Sequence, residues 1–155
     1  MSPLRFGPHV VPPPPLVARD FVLVPLGPEH NAADHVAWGS SIDHIRATPG
    51  FGPGDWGDDD WPVPMSSADN LADLEQHAEE FRQGTAFAYT VLEPGPPGDV
   101  IGCVYVDPDP SGAAQAVARC WVRADRAALD APLALAVRRW LEDSWPLAPV
   151  RWPGR

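Results

Sequence analysis

Arg126-Ala127-Ala128-Leu129-Asp130-Ala131 sets an arginine, small residues and a carboxylate just ahead of a long amphipathic run. The chemistry this spacing suggests is anion binding, because the first turn of a helix offers unpaired N–H groups and the positive end of its dipole. Arg119, Arg123, Arg126, Arg138 and Arg139 gather around the same turn. Such a cluster draws an anionic ligand even to an acidic protein. A solvated helix face explains the cluster equally well, and both readings stay open. Leu129 and Asp130 complicate the first one: a bulky side chain restricts close backbone approach, and a carboxylate competes with phosphate for the same amides.

A second group of residues suits a cationic ligand. Asp55, Trp56 and Trp61 lie in a Gly- and Pro-rich stretch that also holds Asp58, Asp59 and Asp60. Carboxylates and indole rings together bind an amine through charge and cation–π contact. The plainer reading is an acidic loop whose tryptophans cover the core. Adjacent aspartates point apart and lack a calcium-loop spacing, so no metal site is expected. For a proton-accepting group the sequence offers Asp107 and Glu93, each with a structural role as the alternative. His30, His35 and His44 fall on or near the first helix, where they face either the cleft or the core.

These groups need elements to hold them. Residues 116–123 alternate β-branched, aromatic and small side chains and read as a strand. Asp130 followed by Pro132 starts a helix, with Asp130 as its cap. Leu133, Val137, Trp140, Leu141 and Ser144 make its buried stripe, and the helix stops before Trp145-Pro146. Upstream, residues 21–26 form a first strand, and Gly27-Pro28 opens a helix through about Ser40. Residues 41–65 read as a long loop. A helix follows from about Ser67 to Arg82, capped by Ser66 and closed by Gly84. Strands at 86–92 and 100–106 come next; the second is apolar on both faces, which marks a central strand. Residues 149–152 form a short last strand. Cys103 and Cys120 lie on neighbouring antiparallel strands, and a central hairpin register sets them opposite each other as free thiols.

The chain has 155 residues, 45% of them hydrophobic, enough for one core. Residues 1–18, with the run Pro12 to Pro15, read as a proline-rich extension, and 19–155 as a single domain. Net charge is −10, with 11 basic residues, all arginine, against 21 acidic ones. That balance disfavours nucleic acid as a partner, and the absence of lysine removes lysine chemistry. The Ala, Pro, Gly, Asp and Arg bias suggests a bacterial genome rich in GC. No signal peptide or membrane-spanning run is visible, so the expected location is cytoplasmic.

With these residues in view, the chain resembles the GNAT N-acetyltransferase superfamily from about Phe21 to Trp152. That family carries R-x-x-G-x-[GA] between a central strand and the next helix. Arg126 and Ala131 match it, and Leu129 replaces the glycine. The phrase Val100-Ile101-Gly102-Cys103-Val104-Tyr105-Val106 is similar to the family's third strand, and the order of elements agrees. The resemblance implies an α/β (α+β) fold with a mixed, mostly antiparallel central sheet flanked by helices, here without the family's last helix and strands. It implies acetyl-CoA as cofactor, held by Trp121, Val122, Arg123, Arg126, Ala127, Ala128, Leu129 and Ala131. The pantetheine arm would enter a gap between residues 121–123 and 150–152. The acceptor would be a small-molecule or protein amine. A protein keeping the fold without catalysis, and pairing as a homodimer through the C-terminal edge strand, is the alternative.

Overall fold

The computed structural model describes Phe6, residues 10–56 and residues 60–155. Asp58 and Asp59 of the acidic loop lie outside the described residues. Five strands form one sheet in the order β1-β2-β3-β4-β5. They are β1 (Val22–Pro25), β2 (Phe87–Leu92), β3 (Val100–Pro108), β4 (Ala116–Val122) and β5 (Val150–Arg151). The first four are antiparallel neighbours, and β5 joins β4 in parallel. The helices are α1 (Asn31–Gly39), α2 (Ile42–Arg46), α3 (Ser67–Gln83) and α4 (Asp130–Ser144).

Hydrophobic alternation decides which side of the sheet each helix covers. Leu133, Val137, Trp140 and Leu141 of α4 pack on the face carrying Phe87, Tyr89, Val104, Val106, Ala118 and Cys120. Phe6 joins this cluster and stacks on Phe87 at 5.6 Å. The opposite face carries Ala88, Cys103, Tyr105 and Trp121 under Trp38 of α1, Ile45 of α2, Phe51 and Leu74 of α3. β3 is buried along both faces, as its composition predicts.

The helix caps follow their residue types. Ser66 Oγ accepts from the Asp69 amide, and Gly84 ends α3 in the left-handed conformation at φ 70°. Asp130 departs from expectation. It sits inside the helical run and makes no cap bond, because residues 124–129 already turn in two short stretches broken at Arg126, the second of which runs into α4. Ser144, expected on the buried stripe, is exposed. Ile42–Arg46, expected as loop, forms the short helix α2.

The cysteine register also differs. Cys103 pairs with Trp121, and Cys120 pairs with Val104. A slip of one residue moves a side chain to the other face, so the two thiols occupy opposite cores and stay free. No helix among the described residues is long and apolar enough to cross a membrane.

Candidate functional site

β4 and β5 meet for only two residue pairs, Ala116 with Val150 and Val117 with Arg151. The closed end of this fork is pinned. Arg151 Nε and Nη2 donate to Asp109 at 3.2 and 2.9 Å, and the Ser111 and Ala114 amides add bonds of 3.1 and 3.0 Å. The guanidinium, then these amides and the Ser111 hydroxyl, hold the Asp109 carboxyl well below its usual range. Beyond Val117 the strands part. Antiparallel backbone groups alternate in direction, and the Arg123 amide bonds back to Ile101. The groups of Val117, Arg119 and Trp121 therefore face β3, whereas those of Ala118, Cys120 and Val122 face the fork. Trp121, expected at the cofactor, is turned away: its ring is fully buried and its Nε1 donates to Tyr105 Oη at 3.0 Å.

The chain's own tail crosses the mouth of the fork. An added Cβ on Gly154 would lie 3.1 Å from Pro49, and Arg155 reaches the start of α4. Its Nη1 and Nη2 donate to Asp130 at 2.9 and 2.8 Å, and Nη2 lies 3.4 Å from the Cys120 carbonyl. The other arginines of the turn are paired too. Arg123 holds Asp125 at 2.9 and 2.8 Å, and Arg126 Nε donates to Glu93 at 2.8 Å. Turn amides are also engaged: Ala124 N with Ser41 Oγ at 2.9 Å, Arg126 N with Arg123 O, and Asp130 N with Ala127 O. Leu129 packs against the α4 core, while Ala127, Ala128 and Ala131 are exposed. Arg138 stacks over Trp152 at 5.4 Å, away from the turn's ion pairs. In kind, guanidiniums at a helix start suit a pyrophosphate. Each of the three would have to exchange a carboxylate for it.

The opposite face carries a separate pocket of about 180 Å³. Trp38, Trp56, Trp61 and Tyr105 supply its rings, and Asp34, Asn70, Asp73, Gln76 and His77 its polar groups. Trp56 and Trp61 thus both cover the core and line a cavity. Arg119, nearly buried, fixes this loop: Nε donates to Gly50 O at 3.0 Å, Nη2 to Asp55 O at 2.8 Å, and the guanidinium lies over the Trp56 ring at 5.4 Å. Asp55, expected beside the tryptophans as a ligand for cations, instead caps the Gly52 amide and does not line the pocket.

Asp34 and Asn70 went unrecognised in the sequence. Asn70 bridges the helices: its Nδ2 donates to Asp34 Oδ2 at 3.1 Å, and its Oδ1 accepts from Trp38 Nε1 at 3.1 Å. Burial pushes the Asp34 carboxyl up to about 6, against the Asn70 bond and His35. The available signal was a polar residue at the buried spacing of each helix.

Of the two expected proton acceptors, Glu93 is tied to Arg126. Asp107 is half-buried and makes no side-chain hydrogen bond among the described residues. Burial raises its carboxyl to about 7, opposed by nearby Arg119 and reinforced by Glu80. It pairs in register with Val117, where the fork opens, and shares a sheet face with Tyr105. His30 and His35 bond to the Gly27 amide and the Met65 carbonyl at 3.1 and 2.8 Å. His77, rather than His30, His35 or His44, lines the pocket. No metal-binding cluster is present among the described residues.

No protein-family model matches the chain, and no curated protein sequence does. Solved structures do. RimL, a ribosomal L7/L12 alpha-N-protein acetyltransferase in complex with coenzyme A, superposes with a TM-score of 0.59 at 14% identity, covering 86% of this chain and 67% of that one. The microcin C7 self-immunity acetyltransferase MccE, in complex with acetyl-CoA and AMP, gives 0.58 at 11% identity over 82% and 65%. A ribosomal-protein-S5-alanine acetyltransferase from Vibrio fischeri gives 0.56 at 12% over 82% and 66%. This chain therefore spans about two thirds of their length. The likeness establishes the fold, which is that of the GNAT acetyltransferases.

Proposed function

We propose that this GNAT-fold chain transfers an acyl group from acyl-CoA to an amine, with Asp107 as proton acceptor. The observation that carries the reading is the position of Asp107, beside the point where β4 and β5 part and on the face that bears the aromatic pocket. A carboxyl at about 7 matches proton removal near neutral pH far better than an ordinary aspartate. The solved neighbours whose descriptions include coenzyme A or acetyl-CoA support the donor. Arg123, Arg126 and Arg155 would hold its pyrophosphate, and the fork-facing backbone of Ala118, Cys120 and Val122 its pantetheine arm. Bound there, the thioester would supply an acyl carbon open to attack. Asp107 would take the proton that the amine nitrogen sheds as its C–N bond replaces the C–S bond, and the CoA thiolate would leave and take a proton from solvent.

A second reading has its own observation. Arg155 on Asp130, with the tail across the fork, suits a protein that keeps the fold and binds ligands without acyl transfer. Pairing of two copies through β5 belongs to this reading, and concentration-dependent gel filtration tests it.

Titrating CoA and acetyl-CoA while following thermal unfolding tests the first reading. A ligand at 100 times its dissociation constant stabilises by about 2.7 kcal/mol. The acyltransferase reading expects such a shift, and it is overturned by a flat response at millimolar CoA.

A further inference from the structure

The pocket between α1, α3 and β3 has features that acyl transfer does not require. Its deepest polar groups belong to Asp34 and Asn70, which are 4% and 2% exposed. Asp34 meets an amide rather than a guanidinium, and no arginine lines the cavity among the described residues. A buried carboxylate without a cation is costly, and the protein normally pairs such a group or neutralises it. The walls supply what a cation lacks in water. Trp38 and Trp61 lie 5.5 Å apart at 58°, and Trp56 and Tyr105 lie 4.7 Å apart at 59°, so ring faces and edges of several orientations border one space. Trp56 already holds one cation, Arg119, over its ring. Asp73 stands at the same cavity.

We propose that this pocket binds a small alkylammonium ion, with Asp34 as its counter-charge and the Trp38, Trp56, Trp61 and Tyr105 rings as its wall. About 180 Å³ leaves room for a choline-sized ion. Asn70 orients the carboxylate: with Nδ2 on Asp34 and Oδ1 on Trp38, its amide cannot flip without losing both bonds. The titratable groups near Asp34 are His35 on its own helix and Cys103 and Tyr105 on β3, and Asp73 and His77 of α3 line the same cavity. The cation keeps its charge when bound, so occupancy does not depend on acyl transfer.

Indole fluorescence and thermal unfolding of the full chain read out the site. Choline, tetramethylammonium and the neutral isostere 3,3-dimethylbutan-1-ol are the probes. Tetramethylammonium cannot be acylated, so its binding is independent of the enzyme reading. The two cations should bind about tenfold or more tightly than the alcohol. Asp34→Asn should cut that preference severalfold, leaving only the part the rings supply, while alcohol binding stays unchanged. The exposed Asp73→Asn, which does not disturb the core, should weaken both cations severalfold. Equal affinity for cation and alcohol, or no response to either cation at roughly 50 mM, overturns the proposal. So does a folded Asp34→Asn protein that keeps the full preference.

Discussion

Arg155 closes on Asp130 through two hydrogen bonds, 2.9 and 2.8 Å, and so places an arginine and its carboxylate where α4 begins. The pair neutralises the helix start and keeps the tail across the fork. Both partners are largely shielded from solvent, at 13% and 24% side-chain exposure.

The first prediction follows from that pairing. Asp130→Asn removes the competing charge and leaves Arg155 free for a phosphate. CoA should then bind about tenfold more tightly, the effect of ~1.4 kcal/mol. The folded state should lose about 1 kcal/mol from the broken pair. Calorimetric titration of both proteins checks this, and unchanged or weaker CoA binding counts against the fork as a donor site.

Asp107 predicts a pH profile. A base must be deprotonated to act, so turnover should rise with pH through about 7. Asp107→Asn should lower kcat by roughly 10²–10⁴ and abolish that limb. The same carboxyl affects stability with a definite sign. Its folded pKa exceeds its ordinary 3.8, so the contribution is fully present below that value and is lost as pH rises through about 7. A pH–rate profile whose acid limb survives in Asp107→Asn would remove the residue from the mechanism.

Asp34 titrates with the same sign. Its carboxyl rises from 3.8 to about 6, a penalty on the charged form of up to roughly 3 kcal/mol. Asp34→Asn keeps an acceptor for Asn70 and carries no charge. The variant should be more stable than the parent at pH 8, and the gain should vanish near pH 4, where the parent's carboxyl is neutral. Chemical denaturation at both pH values measures it. An equal difference at the two would mean that the charge is not the cause.

Much of the fold is legible from hydrophobic period alone. α3 and α4 show a helical stripe, α3 between its capping residues Ser66 and Gly84, and β3 is apolar on both faces. α2 escapes because five residues give too short a window for periodicity to register. A turn's length fixes register only to within a residue, so the sequence alone does not separate Cys103 and Cys120 onto opposite faces. The pairing shift between Val91 and Leu92 shows how readily a strand gains a residue. The site was legible in part. Trp56, Trp61 and Asp107 are marked by type, but Asp34 and Asn70, 36 positions apart, become a pair only when their two helices face each other. Asp130 carries the signature of a cap. Only the folded tail reveals that its partner is Arg155.

Gly102 gives the last prediction, and it ties a sequence phrase to the pocket. A Cβ at this position would lie 2.4 Å from the Trp121 carbonyl oxygen and 3.4 Å from Val122 Cα. Backbone atoms cannot swing aside as a flexible side chain would, so Gly102→Ala must push β3 and β4 apart. The expected cost is about 1–3 kcal/mol or more. Displacing Trp121 should also disturb Tyr105, to which it donates at 3.0 Å, and Trp61, whose ring centroid lies 6.1 Å away. Cation binding should weaken along with stability. Gly39→Ala is the control: nothing lies within 4 Å of its added Cβ, and it ends a helix, so alanine should be neutral or stabilise by up to ~1 kcal/mol. If both substitutions cost the same in urea denaturation, the close approach of β3 to Trp121 is not what requires glycine.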